Sequence, residues 1–76
     1  MAWTTRRERE GIVEWERDDG YATIRRRERG GGGVVVRLDV LEQAADGPSY
    51  RRESVADVES ASELVETWRT EFAVEE

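Results

Sequence analysis

Apolar and polar residues alternate with a period of two through the first two thirds of the chain, then change to a spacing of three and four near its end. Val13 and Trp15, then Ala22 and Ile24, then Val34, Val36, Leu38 and Val40 each occupy every second position. That is the pattern of strands with one buried face. Asp19-Gly20 separates the first two runs. A type I′ hairpin turn needs positive φ at both central residues, which Asp and Gly tolerate best, so a turn is expected there. The register that follows sets Glu14 opposite Arg25, Trp15 opposite Ile24 and Val13 opposite Arg26. It gathers Val13, Trp15, Ala22 and Ile24 on one face and Glu14, Glu16, Thr23 and Arg25 on the other. A slip of one residue would carry the charged set into the core. Gly30 to Gly33 offer no side chain to pack and read as a flexible hairpin loop ending the second strand. Across that loop Ile24 can face Leu38 or Val40. Val40 is preferred, because it sets Arg25 against Asp39.

These patterns predict strands at about 12–18, 21–29 and 34–42. A short Arg-rich strand at about 50–55 follows the Asp46-Gly47-Pro48 turn, with charge suited to a sheet edge. Residues 1–11 read either as a loose N-terminal segment or as an edge strand in which Trp3, Thr5 and Arg7 alternate with Thr4, Arg6 and Glu8. Trp3 is expected under the end of the helix. Ala61, Leu64, Val65, Trp68 and Phe72 form one stripe of an amphipathic helix at about 58–74, capped by Asp57 or by Ser60 with Glu63. An apolar sheet face and an apolar helix stripe must bury each other. The predicted fold is therefore α+β: an antiparallel sheet of about four strands with one C-terminal helix packed on one face. Trp68 should lie near the centre of that contact, over Val13, Trp15, Ala22, Ile24, Val36 and Leu38. Arg26 falls on the same side, where its head must reach the rim or meet a helix carboxylate.

Composition narrows the chemistry. At 76 residues the chain reads as one domain, 1–76, with a small core. Cysteine and histidine are absent, which removes disulfides and makes a zinc site unexpected. Lysine is absent too, so the usual general bases, nucleophiles and Schiff-base formers are missing. No enzyme activity, catalytic residue, cofactor or metal is expected. Asp39 with Glu42 and Asp18 with Asp19 read as a strand ion pair and a turn. The glycine run lacks the Lys-Ser or Lys-Thr of a phosphate loop. No apolar run reaches the length of a membrane span, so no membrane partner is expected and the location is read as cytoplasmic. Twelve arginines face 18 acids, for a formal charge of −6. Residues 57–76 carry Arg69 alone against seven acids, so the terminal segment holds the excess.

Alternation sends Tyr21, Arg25, Arg27, Val35, Arg37 and Leu41 to the sheet face away from the helix, and these are the candidate interaction residues. Aliphatic and aromatic groups on an open sheet point first to a homodimer or to an unidentified protein partner. The alternative is single-stranded nucleic acid on an Arg and Tyr face, to which Arg51 or Arg52 would add. Glu14, Glu16 and Asp39 on the same face, the presence of a single aromatic there, and the collapse of phosphate affinity in concentrated salt weigh against it.

The stretch Glu14-Trp15-Glu16-Arg17-Asp18-Asp19-Gly20-Tyr21, with Val36-Arg37-Leu38-Asp39, Tyr50-Arg51-Arg52-Glu53 and Trp68-Arg69-Thr70-Glu71-Phe72, resembles a family of small uncharacterised haloarchaeal proteins. The resemblance implies a halophilic, cytoplasmic, stand-alone domain, and it implies no activity or site.

Overall fold

The computed structural model describes residues 2–73. It contains β1 (Trp3–Arg9), β2 (Ile12–Arg17), β3 (Ala22–Glu28), β4 (Val34–Val40), β5 (Ser49–Val55) and α1 (Val58–Glu71). The strands form one antiparallel sheet in chain order, β1-β2-β3-β4-β5, so each strand pairs with its sequence neighbour. The α+β class holds, with five strands instead of about four. Val74, where the predicted helix ended, lies outside the described residues; α1 ends at Glu71 with Phe72 as its C-cap.

The added strand is β1, and its bulge explains why its alternation was ambiguous. Thr5 stands opposite Trp15, but Arg7 stands opposite Glu14, leaving Arg6 as an extra residue. Trp3 and Thr5 therefore share a face with Trp15 and Arg17, whereas Arg7 shares the other face with Glu14. Trp3 does pack beneath the helix end, where its indole Nε1 donates to the Arg69 carbonyl at 3.1 Å.

The predicted register of β2 on β3 is observed, including Glu14 opposite Arg25 and Trp15 opposite Ile24. The turn between them is shifted by one residue. Gly20 N–H donates to the Arg17 carbonyl at 2.8 Å, which makes Asp18 and Asp19 the central residues. Only Gly20 takes positive φ (77°), so the type I′ expectation fails at Asp19. The glycine loop closes in the same way: Gly32 donates to Arg29 at 3.1 Å with φ 93°. This hydrogen-bonded turn fixes Ile24 opposite Leu38 and Arg25 opposite Arg37, not Ile24 opposite Val40. The preference for an Arg25–Asp39 pair is overturned, because backbone turn geometry outweighs one surface ion pair.

The core joins Ala22, Ile24, Val34, Val36, Leu38 and Val40 of the sheet to Ala61, Val65 and Trp68 of α1, with Ala44 from the β4–β5 connection. Asp57 caps α1 by accepting from Ser60 N–H at 2.8 Å, and that bond holds its carboxyl below the usual range. The helix lies over β3, β4 and β5, so Val13 and Trp15 sit beside the contact instead of under its centre. Arg26, for which the rim or a helix carboxylate was open, meets a helix hydroxyl, Ser62 Oγ at 3.2 Å. Its guanidinium lies 5.9 Å from the Trp15 ring centroid.

Arg17 continues the Val13, Trp15 alternation and is 1% exposed. Its Nε donates to Asp19, Nη1 donates to Asp46 Oδ2 and to the Phe72 carbonyl, and Nη2 donates to Asp46 Oδ1. One side chain thus ties the β2–β3 turn, the β4–β5 connection and the end of α1. The Asp46 hydrogen bonds are the largest cause holding the guanidinium in its charged form. Both carboxyls are held below the usual range chiefly by their hydrogen bonds from Arg17.

Two outcomes follow for stability. Trp68→Ala should cost about 3–5 kcal/mol in denaturant unfolding, since Trp68 fills the centre of the core. Asp46→Ala should cost about 2 kcal/mol, because it leaves a buried guanidinium short of two acceptors. The acid limb has a definite sign. Asp19 and Asp46 have folded pKa values below their unfolded value of about 3.9. Their stabilisation is complete above that value and is lost as pH falls through the folded values. Thermal unfolding should therefore hold level down to about pH 5 and fall below about pH 4, with a shallower fall in Asp46→Asn.

Candidate functional site

The helix covers one face of the sheet and leaves the other bare. Cross-strand register puts Arg7, Glu14, Arg25, Arg37 and Arg52 in one row across all five strands of that bare face. Arg25, Arg37 and Arg52 are immediate neighbours on β3, β4 and β5 with no acid between them. Like charges directly opposite one another are destabilising. Two of the three draw on acids beside them: Arg25 Nε lies 3.3 Å from Glu14 and Arg37 Nε lies 3.3 Å from Asp39. Among the described residues, Arg52 and Arg27 have no carboxylate within salt-bridge distance.

A shallow groove of about 390 Å³ runs over this row, lined by Arg25, Arg27, Arg29, Arg37 and Arg52 together with Val35, Glu28 and Gly30. A second hollow of about 290 Å³ adjoins it and shares Arg25 and Arg37, and Arg6 and Arg7 from the bulged strand also line it. The bulge matters here. It brings both Arg6 and Arg7 to the bare face, with Arg6 3.7 Å from Glu16.

The predicted interaction residues divide into two groups. Arg25, Arg27, Val35 and Arg37 line one groove. Tyr21 and Leu41 do not join them: they stand at the far end of the sheet, linked by a 2.8 Å hydrogen bond from Leu41 N–H to the Tyr21 carbonyl. Of the two arginines proposed for the Arg-rich strand, Arg52 lines the groove, whereas Arg51 turns to the helix side and pairs with Glu71 at 3.0 Å. Tyr50, opposite Asp39, lies one row from Arg52 on the bare face and is 59% exposed, so the face carries a second aromatic. Arg52 was one of two alternatives on its strand, whereas Tyr50, Arg6 and Arg7 were missed as site residues. The register of β5 would have supplied Tyr50 and chosen Arg52 over Arg51, and no sequence signal marked the bulge that supplies Arg6 and Arg7.

The result is a charge-segregated molecule. The formal charge is −6, yet the bare face shows a block of arginines, while Glu59, Glu63, Glu66 and Glu71 line the exposed side of α1. Guanidinium groups in a row recognise phosphates or carboxylates through paired N–H donors. Among the described residues no group of Asp and Glu could hold a metal ion, and no helix is long and apolar enough to cross a membrane.

This architecture defines an open-faced α+β protein, one sheet face sealed by a helix and the other carrying charge. The chain belongs to a family of unknown function (DUF7543), whose model matches residues 1–71. No curated protein and no solved structure matches it.

The arginine row carries a testable cost. Replacing Arg52 with Glu sets an opposite charge against Arg37 and should stabilise the fold by about 0.2–1 kcal/mol. A rise in the thermal midpoint at low salt, shrinking as salt is added, is the expected result.

Proposed function

We propose that this protein is a non-enzymatic interaction module that docks an anionic partner on its bare sheet face. The observation that supports this reading is the in-register trio Arg25, Arg37 and Arg52. Three adjacent strands each present a guanidinium at the same level, an arrangement unfavourable in the free protein and favourable once an anion bridges it. The missing histidine, cysteine and lysine support a binding role over catalysis.

Self-association through apolar contacts has weaker support. Tyr21 and Leu41 are 40% and 49% exposed, but they stand apart from the half-buried Val35 and do not make a continuous patch with it. The composition supports a salt-rich cytoplasm as the setting. Arginine is the sole basic residue, and acids exceed it by 18 to 12.

Retention on a polyanionic resin tests the reading, because a protein of charge −6 should otherwise pass through. The wild type should be retained on heparin at low salt and elute as salt rises. The pair Arg37→Gln, Arg52→Gln should elute at clearly lower salt, and passage of the wild type with the void would end the proposal. Sedimentation at increasing protein concentration addresses the homodimer: a monomer throughout is expected.

A further inference from the structure

We infer that the anion taken by the bare face is the backbone of a single-stranded nucleic acid, whose bases lie toward Tyr50. This rests on the anionic-docking reading above and adds the class of partner.

Arg25, Arg27 and Arg29 follow one another at every second residue, along one wall of the groove. Successive side chains on one face of a strand are about 6.7 Å apart, a repeat of the same order as that of phosphates along an extended polynucleotide. Arg37 and Arg52 widen this line into a strip, since each neighbouring strand adds about 4.8 Å. A flexible chain of phosphates can follow such a strip.

What surrounds the arginines separates a polynucleotide from an acidic peptide. Peptide and protein partners are held mainly by a few hot-spot side chains in well-packed, fully desolvated pockets, which this shallow groove does not supply. Among the described residues Val35 is the sole aliphatic side chain lining this groove, and the rest of its lining is arginine, glutamate and glycine. The apolar surface nearby is instead an exposed aromatic ring, Tyr50, on the same strand and the same face as Arg52. A tyrosine face accepts a base by stacking, and guanidinium planes accept bases as well. Thr23 lies between Glu16 and Asp39 in the Tyr50 row, so a polar hydroxyl also faces this level. A duplex would offer the strip its phosphates but keep its bases stacked on each other, leaving Tyr50 without a contact. Single strands use both features. The acids at this level, Glu16 and Asp39, repel phosphate and confine the backbone to the arginine strip, with bases directed to the Tyr50 side.

The test is a fluorescence titration at low salt with oligothymidylate, a duplex of equal length and poly-glutamate of equal charge. Oligothymidylate should bind most tightly. Its affinity should fall with salt at a log–log slope near −2, for about three contacted phosphates at about −0.7 each. Arg37→Gln should reduce that slope by about 0.7. Tyr50→Ala should weaken binding about tenfold or more while leaving the slope unchanged, and Tyr50→Phe should retain affinity. Poly-glutamate binding as tightly as oligothymidylate, with Tyr50→Ala without effect, would overturn the nucleic-acid inference and leave anionic docking intact. Equal binding of duplex and single strand would overturn it likewise. Failure of every polyanion to bind would remove both readings.

Discussion

The guanidinium of Arg17 holds this small fold in one arrangement. A chain without disulfides has few long-range constraints, and here one buried cation supplies two beside a local one. Its donors are distributed between Asp19, Asp46 and the carbonyl of Phe72, which belong to two loops and the end of the helix. The last contact also places positive charge at the helix C-terminus, where the backbone dipole favours it. Apolar residues of similar size could give equal stability, since buried ion pairs repay their desolvation only with good geometry. They could not give the same directionality. A bidentate pair to Asp46 accepts one orientation of the β4–β5 connection, whereas an apolar contact would accept many.

That constraint determines what the other side of the sheet can do. With the helix end pinned beside the β2–β3 turn, α1 runs over β3, β4 and β5 and seals a single face. Most polar residues of β2, β3 and β4 then fall on the bare side, with Arg17 and Arg26 among the exceptions, and register decides which meet. Turns closed by Gly20 and Gly32 fix that register, so they also bring Arg25 level with Arg37. The charge pattern of the candidate site is thus a consequence of backbone turns, one of which, after Arg29, borders the groove. A sequence selected for stability alone would place acids at one of those positions, and proteins commonly accept such local cost at surfaces that bind.

Much of this was legible in the residues. Alternation in Val34–Val40 and the three-four stripe from Ala61 to Phe72 reported their elements directly, because burial on one face leaves a period that solvent exposure cannot mimic. The β2–β3 register was legible for the same reason. The register across the glycines was not. Ile24 keeps its core position whether it faces Leu38 or Val40, so hydrophobic pattern cannot separate the two, and only the hydrogen-bonded turn does. β1 was obscured by its bulge, which breaks the period between Thr5 and Arg7. Arg17 occupied a core-side position in the alternation, and its charge disguised it. Its partners, Asp19 and Asp46, lie in turns where Asp is ordinary and carries no signal of a buried ion pair.

The site inherits an internal competition from this geometry. Glu14 and Asp39 lie 3.3 Å from Nε of Arg25 and Arg37, so an incoming anion meets a resident carboxylate beside each of those two arginines. Arg27 and Arg52 carry no such occupant among the described residues, and they flank the occupied pair. A ligand therefore meets its least encumbered contacts first, one on β3 and one on β5, and reaches the central pair against the repulsion of their neighbouring acids. The resident carboxylates lower affinity for any single anion, because their repulsion offsets much of what one contact gains. They lower it far less for a chain of anions, since contacts made at the flanks raise the effective concentration of the next group over the centre. The same acids that weaken the face as a general anion trap thus favour a polymer over a monomeric ion.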